Sequence, residues 1–254
     1  MSRLAKFVNS LDSSPKWGKC PLVHSTVLSF MQSILDNKSL SCVQCNVFNE
    51  KLLYLFYGKP SYKNQNIENQ AWFPVCFILK NEIVQSNEIK NVFPFDSGAF
   101  KARIYEGFIE SHKKLDDYTL PKNIQAIDKF LNYFFEEFND YYYGKPTIKE
   151  PPALSLELTD CYNLYGARGI QKFDERAKSI EISVNKDIKL SSQNIELLIC
   201  PESLRQNIDV YFQDEPNFNV EYYQTYNLGS AEKYYYIIED IANKYINKVI
   251  FNDK

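Results

Sequence analysis

Residues 52–57 (LLYLFY) form a nearly continuous apolar and aromatic run that stops at Gly58-Lys59-Pro60. Such a run is the mark of a strand buried on both faces, because no alternate positions are left for a solvated side. A second run of this kind spans 73–79 (FPVCFIL). Two such strands commit the chain to a core centred on a sheet, and 254 residues are enough to bury one. A hydrophobic fraction of 44% with 24% charged residues is that of a soluble globular protein. No run approaches the roughly 18 apolar residues of a membrane span, so no membrane partner is expected.

The rest of the chain is read around these strands. Residues 1–21 form a lead-in that ends in the Pro-Lys-Trp-Gly-Lys cluster at 15–19. After His24, Ser25 or Thr26 is expected to cap a helix whose buried stripe is Val27, Phe30, Met31, Ile34 and Leu35. Residues 93–99 read as a turn built on Asp96 and Gly98, either a plain loop or the edge of a pocket. From 103 to 145 the pattern is helical. Ile124, Ile127, Leu131, Phe134 and Phe138 fall on one face between Pro121 and Gly144, a helical insertion between two sheet-forming parts. Strands are predicted again at 154–158, 179–184, 195–200, 208–212 and 220–226, and a last helix at 231–249. The sum is one α+β domain, residues 1–254, with a split, mixed or antiparallel sheet and a central helical insertion. The tetrapeptide Tyr-Gly-Lys-Pro recurs at 57–60 and 143–146, but its surroundings differ and no structural repeat is implied.

A net charge of −3 argues against a general nucleic-acid coat protein, although a local basic groove remains compatible with it. The N-terminus lacks the apolar core and cleavage site of a secretory signal, so a cytoplasmic protein is expected. Its six cysteines are then expected to be reduced. Four candidate ligands, Cys20, His24, Cys42 and Cys45, give C-x3-H followed by C-x2-C, the pattern of a zinc-stabilised structural module. In the strand predicted at 179–184, Ile180, Ile182 and Val184 share one face, and Ser179, Glu181 and Ser183 share the other. Glu181 is thus either a carboxylate on a solvated face or one that lines a cleft. Arg168, Arg176 and Lys178 precede it, with Tyr162 and Tyr165 nearby, the mixture of cations and rings that holds phosphates and bases.

The order of these features resembles the NAD-binding half of ADP-ribosyltransferases, especially bacterial toxins that modify DNA. In that family a histidine followed by a small hydroxyl residue precedes a helix and then a strand with tyrosine. The resemblance implies that His24, with Ser25 and Thr26, binds the ribose hydroxyls of NAD, and that Tyr54, Tyr57 or Tyr62 stacks on the nicotinamide. It assigns to Glu181 the catalytic carboxylate that assists nicotinamide departure. Two residues earlier, where arginine-modifying members carry Gln or Glu, this chain has Ser179, so DNA, RNA or another macromolecule is the expected target. The implied role is a toxin or anti-phage defence effector, with NAD as substrate, no metal, and an antitoxin or regulator as a further partner. The residues leave open a non-enzymatic nucleic-acid or protein-binding module, and the zinc module above.

Overall fold

All side chains from Leu52 to Tyr57 except Tyr54 are buried, as the apolar run predicts. The computed structural model describes residues 1–12, 16–17, 20–63, 69–147, 151–152, 154–166, 175–226 and 230–251. In chain order these begin with α1 (Arg3–Asn9), β1 (Leu22–Val27), α2 (Met31–Asn37), β2 (Ser39–Leu40), β3 (Val43–Cys45), β4 (Glu50–Tyr57), β5 (Pro74–Leu79) and β6 (Ile89–Phe93). Four helices follow: α3 (Ser97–Lys101), α4 (Ile124–Phe134), α5 (Phe138–Tyr142) and α6 (Leu156–Gly166). The chain then runs through β7 (Glu181–Val184), β8 (Ile188–Lys189), β9 (Ile195–Pro201), α7 (Arg205–Tyr211), β10 (Val220–Tyr223) and α8 (Tyr235–Phe251).

The main sheet is open and mostly antiparallel, with strand order β10-β9-β5-β1-β4-β7-β6, and β3 pairs with β4 as well. Only β10 and β9 run parallel within it. β2 and β8 make a small separate ribbon. Neighbouring strands β6 and β7 are joined by the long excursion that carries α3 to α6, so the helical insertion hangs between two adjacent strands. Its core is aromatic: Phe130, Phe134, Phe135 and Tyr165 form a set of edge and tilted ring contacts with centroids 5.1–6.5 Å apart. The insertion is less helical than its pattern suggests, since its first turns, around Arg103, are irregular and Arg103 has a φ of 57°.

The structure corrects four element boundaries. Ser25 and Thr26 do not cap a helix but lie within β1, paired with Cys76 and Val75 of β5. A full row of ladder bonds on one edge outweighs one capping bond. The helix starts later, at Met31, and Phe30 is 58% exposed instead of joining the buried stripe. Residues 154–158 and 208–212 fall in the α6 and α7 regions and are not strands. At α7 the alternation of Ile208, Val210 and Phe212 misleads, because Ile208 is buried while Val210 stands 66% exposed. The turn expected at 93–99 contains the start of α3, with Asp96 as its cap, accepting the Ala99 N–H at 2.6 Å.

Candidate functional site

β1 and β4 diverge. β1 pairs with β5 along all six of its residues, but with β4 only through Leu22↔Tyr57 and Val23↔Phe56. Were that ladder to continue, Ser25 would face Tyr54. Instead the imidazole of His24 lies 2.9 Å from the Tyr54 carbonyl through Nδ1 and occupies the place of the next ladder bond. A carbonyl can only accept, so Nδ1 carries the hydrogen and Nε2 keeps a lone pair. Burial pushes the pKa of His24 below the usual imidazole value, and the bond to Tyr54 offsets this in part, so the ring is neutral.

At the divergence lies a cavity of about 320 Å³. Its walls are His24, Ser25 and Thr26 from β1, Leu52, Leu53 and Tyr54 from β4, the inner side of α2 with Phe30 ahead of it, and part of the segment 39–43. It brings together four of the residues expected to bind a cofactor: His24, Ser25, Thr26 and Tyr54. The Ser25 hydroxyl is engaged in accepting the Ser61 N–H at 2.8 Å.

Tyr57 and Tyr62 are core residues that do not line this cavity. The hydroxyl of Tyr57 donates to the Trp17 carbonyl at 2.8 Å, and its own carbonyl accepts from Tyr141. Tyr62 donates to the Val75 carbonyl and stacks on Tyr235 with centroids 4.7 Å apart. Both phenols thereby satisfy the partner that a buried tyrosine requires, which makes them packing residues.

Glu181 opens β7, between β4 and β6, and is 2% exposed. Ser179 and Ser183 are buried as well, so this strand face is interior and not solvated. The pairings Tyr54↔Ser183 and Phe56↔Glu181 put the side chains of Tyr54, Ser183 and Glu181 on one face of the sheet. By the same rule His24, two residues along from Leu22, starts from the opposite face, beside Phe77. Tyr54 is the joint between the two halves: its carbonyl holds His24, and its ring lies on the side of Glu181.

Around Glu181 is a polar cluster built on the turn at 93–99, which by sequence is either a plain loop or a pocket edge. Oε2 of Glu181 accepts the Ser97 N–H at 3.1 Å, while Oε1 is buried without a hydrogen-bond partner. Burial first, then the nearby carboxylate of Asp96, raises the pKa of Glu181 well above the ordinary carboxylate range. Asp96 is itself 3.6 Å from Arg176, both side chains being mostly buried. On the Tyr54 side, the phenol meets the Cys45 thiol at 2.6 Å. Burial and that bond raise the pKa of Tyr54, with Glu181 and Asp96 adding to the effect. One signal for this cluster was visible: an Asp followed by small residues is a helix-cap pattern.

The cations expected to meet a nucleic acid are placed otherwise. Arg176 is committed to Asp96, and the aliphatic stem of Lys178 lies so close to Gly144 that a Cβ there would collide with it. Arg168 lies outside the described residues. The zinc set does not assemble: Cys20 packs beside Gly58, Cys45 meets Tyr54, and Cys42 reaches back to the Val184 carbonyl. Among the described residues no three His, Cys, Asp or Glu side chains converge as ligands, and no helix is long and apolar enough to cross a membrane. Compared with protein-family models and with curated proteins, the sequence matches none.

Proposed function

We propose that this protein is an NAD-dependent ADP-ribosyltransferase whose substrate binds in the cavity at the β1–β4 divergence. One observation carries the reading. His24, Ser25, Thr26 and Tyr54 share a single cavity, and the side chain of Tyr54 lies on the face that holds the buried carboxyl of Glu181. A ligand entering where the two strands separate can meet groups from both faces of the sheet, which an unbroken ladder would keep apart. The lone pair left on Nε2 of His24 suits the donor hydroxyls of a ribose. The ring of Tyr54 offers a face for nicotinamide. In the reaction the bond between the ribose anomeric carbon and the nicotinamide nitrogen breaks, and nicotinamide leaves with the electron pair. The positive oxocarbenium character that develops is stabilised by ionised Glu181, and a nucleophile on the target then bonds to the anomeric carbon and loses its proton. The target class favoured by Ser179 is nucleic acid or another macromolecule, in the setting of a toxin or a defence effector.

Incubation of the purified protein with NAD and candidate DNA, RNA and protein targets tests this. Nicotinamide release and target labelling are expected, and Glu181→Gln should abolish both while the thermal transition stays cooperative. Undiminished activity in that variant would sink the mechanism. A second reading, a binding module without turnover, is favoured by the burial of Glu181, which does not itself line the cavity. It predicts ligand binding that survives Glu181→Gln, with no nicotinamide released by either protein.

A further inference from the structure

We propose that the cavity at the β1–β4 divergence recognises a nucleoside through its sugar hydroxyls and its ring, and that the phosphates of a dinucleotide stay outside and contribute nothing to binding. For the identity of the base this rests on the NAD reading above; for the exclusion of phosphate it rests on the lining alone. No Asp, Glu, Lys or Arg is among the described residues that form the walls. A phosphate taken from water into such a place would have no cation to meet, and the desolvation of an unpaired charge is among the most unfavourable steps in binding. Sites built for phosphate supply Arg, Lys or a ring of backbone N–H groups.

The lining has instead the chemistry of a sugar and base site. Thr26, Ser33, Asn37, Ser39 and Ser41 present hydroxyls and an amide, neutral groups that exchange hydrogen bonds with ribose at small desolvation cost. Ser39 and Ser41 already bond each other at 2.8 Å, and Asn37 donates to Ser33 at 3.3 Å, so the wall is held ready before a ligand arrives. At the mouth, Phe30 and Val43 are 58% and 63% exposed although both are apolar. An exposed phenylalanine at a cavity rim is a surface on which a flat base can close. A volume of about 320 Å³ is at the small end of ligand sites, suited to one nucleoside half of NAD and not to the whole molecule.

Calorimetric titration of the whole protein with nicotinamide riboside, nicotinamide mononucleotide, NAD and adenosine tests the inference, because the first three differ only in what is attached at the phosphate side. Dissociation constants for those three within about threefold of one another are expected, unchanged between ~50 and ~300 mM salt. Phe30→Ala should weaken all three by the same factor, roughly 5- to 20-fold. NAD binding more than about tenfold tighter than the riboside, with a steep loss in salt, would overturn the exclusion of phosphate and leave the NAD reading intact. Adenosine binding with no response to the nicotinamide compounds would keep the nucleoside site and remove the NAD reading. No binding of any of the four would overturn the proposal.

Discussion

At Glu181 two requirements compete. An electrostatic partner for a developing cation has to be ionised, while a carboxyl that is 2% exposed with one oxygen unpartnered holds its proton well above the ordinary pKa. The pH dependence of nicotinamide release therefore has a definite sign. Release should rise with pH as Glu181 ionises, and Asp96→Asn, which removes the nearby negative charge, should move that rise to lower pH. A profile in Asp96→Asn that does not shift would show that some other group titrates. Tyr54 supports a second prediction. Tyr54→Phe removes the hydroxyl bonded to the Cys45 thiol and should lower stability by about 1 kcal/mol, since a typical side-chain hydrogen bond contributes about that much. Ligand affinity should persist in Tyr54→Phe and fall in Tyr54→Ala, because the ring and not the hydroxyl is asked to bind; equal losses in the two variants would contradict that role.

At the scale of elements, the strand turn at Gly58 shows how sequence and packing meet. Gly58 has a φ of 68°, where a side chain is strained, and a Cβ there would collide with Cys20 Sγ and come within 3.0 Å of Phe138. Gly58→Ala should cost about 1–3 kcal/mol in chemical denaturation and loosen the only two residue pairs that join β1 to β4. A neutral outcome would mean that Cys20 and Phe138 yield freely. The end of this strand was legible because Gly-Lys-Pro is a local signal, and so was the alternation that groups Ser179, Glu181 and Ser183. The start of α2 was not, because Ser25 and Thr26 are good caps by residue type and only a distant strand, β5, claims their backbone. The assignment of Tyr57 and Tyr62 to the site failed for a similar reason: a tyrosine hydroxyl needs a partner, and nothing nearby in the sequence says that Trp17 and Val75 will supply it. Burial on both faces was readable for β4, whereas the separation of β1 from β4, which makes the cavity, is a property of pairing between segments and leaves no mark on either one.

Across the whole molecule, acids with opposite shifts set how stability changes with pH. Glu88, Glu202 and Glu215 gain hydrogen bonds in the fold that hold their pKa values below the ordinary range, so what they add is present above the unfolded pKa and lost as pH falls through the folded one. Asp128 and Glu181 act the other way. Asp128 is fully buried in α4, its carboxyl receiving the Trp17 N–H at 3.1 Å on each oxygen, and burial raises its pKa to about 6 from 3.8. The folded state then binds that proton more tightly than the unfolded chain. Its stabilising effect is complete below pH 3.8 and is lost as pH rises to about 6, by at most about 3 kcal/mol. Between pH 4 and 6.5 these raised acids make stability decline as pH rises, while His24, whose pKa burial lowers, opposes them. Asp128→Asn keeps an oxygen to accept the Trp17 N–H but cannot ionise, and it should flatten that decline between pH 4 and 6.5 in urea titrations. Part of the remaining slope in that variant belongs to Glu181, beside Asp160 and Glu196, whose pKa values burial also raises, and Glu181→Gln in the same background should reduce it further. If the decline in Asp128→Asn is as steep as in the parent protein, the link between α4 and the N-terminal segment is not where the proton is held.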